Sequence, residues 1–372
     1  MKTKDRSKES ITTTQAAMMT SKAMIGTGIL VLPQSIGKSV GTPDGWLSVL
    51  LSGILAMIFG FFIVKLSQRF PGKTYYQYSQ EIVGKWIGSF IGAGMCLYYI
   101  FSSGYLLRVM GEVVRMYLLD KTPISIIMLT FMGVAIYMTT AGINAIAQLI
   151  EIFLPIIVLI MVVFIIFSFR DFELDNLRPV LGEGIMPVLK GIEPSILSYS
   201  GFEVMLFVTA FMTDARQALK ATFAGIGLTA VLYTLIVAVA IGSLTVEEVQ
   251  TVTWPTMSVA MNIELPGGFF ERFESLFTVL WVISMFTAFV MYHYGGSLGF
   301  GQLTGKKFQL FAYLSLPCIF LIAIWPSNLN KLFKLGDYIG YASFFMFGTI
   351  PVLFWIVAAV RRVGHGTKNK GA

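Results

Sequence analysis

The chain has 372 residues, is 56% hydrophobic and 13% charged, and carries a formal net charge of +7. Its mean hydropathy of +0.76 excludes a water-soluble domain, because a surface so poor in charge could not be kept in water. It reads as an all-α integral membrane protein. Its excess positive charge suits membrane borders facing anionic lipid, and no nucleic-acid partner is expected.

Runs of about 20 apolar residues, enough to cross roughly 30 Å of hydrocarbon, predict about ten spans. Their expected limits are roughly 14–38, 45–69, 85–118, 122–140, 143–169, 187–211, 215–242, 268–299, 307–326 and 336–360. The charged start, MKTKDRSKES, leads into a long polar-tinged span rather than a short apolar core with a small-residue cleavage site, so no signal peptide is expected. The third span is too long to stand upright and is predicted to tilt. Only Thr139-Thr140-Ala141-Gly142-Ile143-Asn144 marks a turn between the fourth and fifth. This gives a tail over 1–11, one transmembrane domain over 12–362 and a second tail over 363–372.

Basic residues set the orientation. With ten spans, one side collects Lys2, Lys4, Arg6, Lys8, Lys65, Arg69, Lys73, Lys85, Arg216, Lys220, Lys306, Lys307, Arg361, Arg362, Lys368 and Lys370. The opposite loops hold Asp171, Glu173, Asp175, Glu183, Glu247, Glu248 and Glu264. Both termini are therefore expected in the cytoplasm.

Nothing points to an enzyme, a metal or a cofactor. Cys96 and Cys318 fall inside apolar spans and read as packing residues; His293 and His365 lack ligand partners at metal spacing. No P-loop, nucleophile triad or dinucleotide fingerprint is present.

The informative feature is Met24-Ile25-Gly26-Thr27-Gly28-Ile29-Leu30 in the middle of the first span. In hydrocarbon an unpaired backbone group costs several kcal/mol, so an unwound stretch survives only against protein or a cavity. Two glycines alone could equally let helices pack closely. A second interruption, Ser198-Tyr199-Ser200-Gly201-Phe202-Glu203-Val204, falls in the sixth span. Spans one and six correspond if the chain is two repeats of five, over about 12–170 and 185–362, which is the pattern of an inverted-repeat, LeuT-like fold holding a ligand between broken helices. The amides of Gly26, Thr27 and Gly28 would open the second half of helix one and favour a carboxylate. Carbonyls around Ser198 to Gly201 would accept an ammonium. Together they suit a zwitterion such as an α-amino acid.

The segments GTGILVLP, TPDGW, GKWIGS, LRPVLGEG, FEVMLF, WPT, ERFES and DYIGY together resemble the B subunits of spore germinant receptors. These form the spore germination permease-like family of the amino acid–polyamine–organocation superfamily. The resemblance covers roughly residues 12 to 362. It implies a ten-helix subunit of the spore inner membrane that binds a germinant, usually an amino acid such as L-alanine. It further implies work with an A subunit and a lipoprotein C subunit, and sensing rather than transport. Carried over residue by residue, the pocket would be lined by Gly26, Thr27 and Gly28 on the first helix, Tyr98 and Ser102 on the third, and Tyr199, Ser200, Gly201 and Phe202 on the sixth. Ser284, Thr287 and Ala288 would come from the eighth and Ser343 from the tenth. Tyr98 and Ser102 are four apart and share a helical face; ordinary interhelical hydrogen bonding is the competing role of any single Ser or Thr here. Ser200 would face the ligand side chain and bulky Phe202 would favour a small amino acid.

Arg108 and Glu112 in the third span, Glu151 in the fifth and Glu203 in the sixth need partners or water. Glu203 either belongs to a proton or cation pathway or ties the break in helix six to nearby amides; Arg108 is expected to pair with Glu112. The second reading weighs more, because unwound backbone offers hydrogen-bond partners. Several superfamily members carry a lysine on the fifth helix in place of sodium. Here that span, NAIAQLIEIFLPIIVLIMVVFII, has none, which disfavours proton symport of that type and leaves sodium coupling or exchange open. Fold does not separate a sensor from a transporter. A channel is disfavoured because no polar stripe runs the length of a span. The loop at 176–184 and the segment at 245–264 are expected outside, gating entry or meeting the C subunit.

Overall fold

The computed structural model describes residues 10–263 and 272–364. The tail charges Lys2, Lys4, Arg6, Lys8, Lys368 and Lys370, together with His365 and Glu264, lie outside the described residues.

Helix α1 (Thr13–Met24) starts at a capping box: Thr12 Oγ1 accepts from the Gln15 amide at 3.2 Å while Gln15 Oε1 accepts from the Thr12 amide at 3.0 Å. It stops at Ile25 and restarts as α2 (Gly28–Val40), bent by 51°. Pro33 lies inside α2 and has no N–H for the Ile29 carbonyl four residues earlier. Thr256 supplies the missing donor, its Oγ1 lying 2.6 Å from Ile29 O. Thr256→Val is therefore expected to cost about 1–3 kcal/mol by orphaning that carbonyl, with Thr256→Ser near wild type; thermal unfolding midpoints check it.

Next come α3 (Gly45–Gln68), the short α4 (Tyr75–Val83) and the unbroken α5 (Lys85–Tyr117) of 33 residues. Then α6 (Ile124–Ala141) and α7 (Ile143–Ser168) are separated only by Gly142, whose φ of 94° makes the predicted turn possible. In the loop that follows, the buried Asp44 of TPDGW anchors the Leu181 amide at 2.7 Å.

The sixth segment is the most irregular. It runs through α8 (Met186–Lys190), α9 (Ile192–Tyr199), a 3₁₀ turn at Phe202–Val204, α10 (Met205–Val208) and another 3₁₀ turn at Thr209–Phe211. The strand-like residue before α1 pairs with its end: the Ile11 amide donates to Phe211 O and the Thr213 amide to Ile11 O, both at 2.9 Å. The second half continues with α11 (Ala218–Thr251), α12 (Pro255–Met261), α13 (Phe273–Thr304), α14 (Phe308–Ile324), α15 (Leu329–Ser343) and, after a π-helical turn at Phe344–Thr349, α16 (Ile350–Val360).

Three expected limits shift, the eighth span running on to Thr304 rather than ending near 299. The seventh span does not stop near 242 but continues to Thr251 across a kink at Thr245, where φ is 69°; the extension carries Glu247 and Glu248, which an apolar run cannot reveal. The tenth begins at Leu329, because a lysine-bearing turn is helical but not apolar. Cys96 is packed inside as expected, whereas Cys318 sits exposed on α14.

Pairing follows the repeats. Helix α11 packs along α3 and α13 along α5, so the second and third segments of one half meet their counterparts in the other. Among the described residues seven helices are long and apolar enough to span alone, and the bent α1–α2 pair makes an eighth. The chain is a multi-pass membrane protein of five-plus-five helices with the first and sixth broken.

Candidate functional site

At the first break the freed carbonyls all find donors. Met24 O accepts from the Gly26 amide at 2.9 Å and from Tyr233 OH at 2.6 Å. Ile25 O accepts from Lys22 Nζ at 2.8 Å and Ser284 Oγ at 2.7 Å, and Gly26 O from Trp281 Nε1 at 3.1 Å. Thus the Gly26 amide, expected to face a carboxylate, is closed onto Met24. Thr27 and Gly28, at the start of α2, remain first-turn positions whose amides no helix carbonyl precedes. Gly28 lies under the Tyr233 ring, where a Cβ would come within 2.7 Å of the ring carbon bearing the hydroxyl.

At the second break Gly201 adopts φ 137°, and its missing side chain lets α1 approach: a Cβ there would stand 2.5 Å from Ala23 C and 2.6 Å from Met24 N. The two broken segments therefore cross backbone to backbone. Glu203, fully buried, accepts from the Gly201 amide at 2.5 Å and from Tyr98 OH at 3.2 Å, with the Tyr292 hydroxyl beside it. Its carboxylate ties the break to α5. Ser200 Oγ donates to Ser343 Oγ at 2.7 Å and lies 3.0 Å from Ile196 O.

Beside the crossing lies a cavity of about 20 Å³, lined by Gly26, Thr27, Tyr98, Ser102 and Ser200 with Ala23, Met24, Tyr105, Leu106, Tyr292 and Ile339. A space this small holds a water or two without rearrangement. Ser102 Oγ and Tyr105 OH are buried and lack a hydrogen-bond partner of good geometry among the described residues. A second cavity of about 30 Å³ lies on the α3 side, lined mainly by apolar side chains together with Ser52, Tyr199, Phe202 and Ser343. The Ser200–Ser343 hydroxyl pair joins the walls of the two. Tyr199 OH is committed to Val49 O at 2.9 Å. Ser284, Thr287 and Ala288 line neither cavity; they stand on the face of α13 behind Gly26, with Thr287 Oγ1 donating to Ser284 O at 2.9 Å.

The structure adds residues that the pattern reading passed over. Tyr105 follows Tyr98 by seven and Ser102 by three, so it shares their helical face. Leu106 and Tyr292 also line the cavity. Lys22 is fully buried four residues before Gly26; an ionisable group within a span is the signal that marks it.

The remaining charges are placed simply. Arg108 Nε meets Glu112 Oε1 at 2.9 Å, and Arg115 meets Glu112 Oε2 at 2.8 Å. Glu151 is exposed and accepts from Gln15 Nε2 at 2.9 Å, so it sits beside the start of α1 rather than against the break. In the turn after the sixth segment, hydrogen bonds from the Arg216 side chain and amide hold the Asp214 carboxyl below its usual range. His293 links three helices, with Nδ1 3.1 Å from Thr139 Oγ1 and Nε2 3.0 Å from Ala312 O.

The sequence profile of the spore germination protein family matches residues 10–332. The chain belongs to this family. Spore germination protein YndE of Bacillus subtilis (strain 168) is 39% identical over 355 residues, 95% of this chain and 98% of YndE. Spore germination proteins A2 and B2 of the same strain are each 33% identical, covering 95% and 97% of this chain and 97% and 99% of their own lengths. Among solved structures, Mhp1, a nucleobase-cation-symport-1 family transporter in a closed conformation with bromovinylhydantoin bound, superposes with a TM-score of 0.72 at 13% identity over 98% of this chain and 83% of that one. MhsT in complex with L-phenylalanine gives 0.61 at 10% identity, covering 95% and 98%. At such identities the likeness shows the fold alone: this spore germination family member has the LeuT-type arrangement, and family and fold are of permease type.

Proposed function

We propose that this member of the spore germination family is the germinant-sensing subunit of a receptor in the spore inner membrane. It binds a small amino acid such as L-alanine between the first and sixth segments and passes the signal to an A subunit and a lipoprotein C subunit. Both termini lie in the cytoplasm, on the side that the basic residues favour. The observation that carries the binding reading is the pair of buried hydroxyls of Ser102 and Tyr105 beside the crossed breaks, which lack a hydrogen-bond partner of good geometry among the described residues, since a buried polar group so placed calls for one. The ligand carboxylate meets the first-turn amides of Thr27 and Gly28, where the dipole of α2 favours negative charge. Its ammonium meets carbonyls at the break after α9, around Ser200 and Gly201. The cavity, about 20 Å³ as it stands, widens to admit the ligand; Leu106 and Tyr292 then close in on the side chain, and their tight walls select against bulk.

Leu106→Ala opens that wall. In competition against labelled L-alanine, larger amino acids are expected to gain about tenfold in the variant, in keeping with roughly 1–3 kcal/mol per methylene. An unchanged profile would remove Leu106 from the pocket and the pocket from this cavity. A transporter is the second reading, favoured by the likeness to Mhp1; there the same pocket would deliver ligand across the membrane.

A further inference from the structure

Lys22 lies in the last turn of α1 and is fully buried. Its ammonium donates to Ile25 O at 2.8 Å, to Ser284 O at 3.0 Å and to Ser284 Oγ. All three ammonium protons are thereby used, and all three partners are neutral oxygens. A buried charge without a counter-ion persists only where oriented dipoles replace water. The oxygens here are so oriented. Ile25 caps the C-terminal, negative end of α1, and Ser284 Oγ and Thr287 Oγ1 are locked by donating to Ile25 O at 2.7 Å and to Ser284 O at 2.9 Å. A main-chain carbonyl of the break, a main-chain carbonyl of α13 and a hydroxyl make the kind of oxygen cage that a hard cation such as sodium takes.

We infer that the Lys22 ammonium is a tethered cation, filling from within α1 a monovalent-cation site between the first helix break and α13. The chain thus carries its own ion. The broken helix is fastened to α13 without sodium, and removal of the ammonium leaves a cage that sodium can enter. This holds whatever ligand the neighbouring cavity takes, so its test needs none.

The full chain is purified in detergent as wild type, Lys22→Ala and Lys22→Met, and thermal midpoints are followed while sodium chloride replaces choline chloride at constant ionic strength. Wild type is expected to be flat. Lys22→Ala should fall by about 5 °C in choline, a loss of the size expected for a few kcal/mol in a chain this long, and should recover saturably with sodium. Lys22→Met should fall and stay flat, because its long apolar side chain occupies the same space. A midpoint that rises with sodium in wild type, or a Lys22→Ala variant indifferent to sodium, overturns the inference. If Lys22→Ala does not yield folded chain, the cycle of Lys22→Met and Ser284→Ala decides: coupled losses support the cage, and additive losses overturn it.

Discussion

Gly26→Leu is expected to abolish ligand binding while the protein still folds in the membrane. A Cβ at Gly26 would stand 3.7 Å from Ala288 Cβ and 3.8 Å from both Leu106 and Met285, which is ordinary contact, so Gly26→Ala should leave the fold intact and affinity only modestly changed. Gly26 lines the cavity, and the three further carbons of leucine are expected to fill it. A loss of at least 100-fold, about 2.7 kcal/mol, follows. Equilibrium binding on purified variants with matched unfolding midpoints checks it; normal affinity in Gly26→Leu would place the ligand elsewhere.

Gly201→Ala should act on the fold itself. Two penalties combine: φ of 137° is a region that side chains avoid, and the new Cβ would press on the main chain of Ala23 and Met24, which cannot step aside as a flexible side chain can. A loss of about 3 kcal/mol or more is expected, seen as a marked fall in unfolding midpoint and in yield. Stability equal to wild type would mean that the two breaks do not cross as closely as described. The glycine pair separates a position that keeps the pocket open from one that lets the helices meet.

Much of this was legible in the sequence. Hydropathy found the ten segments, and Gly-Thr-Gly and Ser-Gly located both breaks, because in a membrane glycine and polar residues mid-span are conspicuous against an apolar background. The Arg108–Glu112 pair was legible from its i,i+4 spacing. The division of Tyr98, Ser102 and Ser200 from Tyr199, Phe202 and Ser343 into separate cavities was not, because a local unwinding changes which way each residue faces and spacing then loses its meaning. Tertiary donors were equally hidden: nothing near Pro33 in the chain tells that Thr256 will serve Ile29. Lys22 is legible as an ionisable residue within a span, but spacing alone does not tell that its ammonium reaches the break; α7, the fifth segment, has no lysine.

The most direct measurement is binding and accumulation of labelled L-alanine and other small amino acids by the purified chain in proteoliposomes, with and without ion gradients. A sensor with its pocket between the crossed breaks predicts saturable binding of a small amino acid, lost in Gly26→Leu, with no accumulation under any gradient. Gradient-driven accumulation would contradict the sensing account and make the chain a transporter.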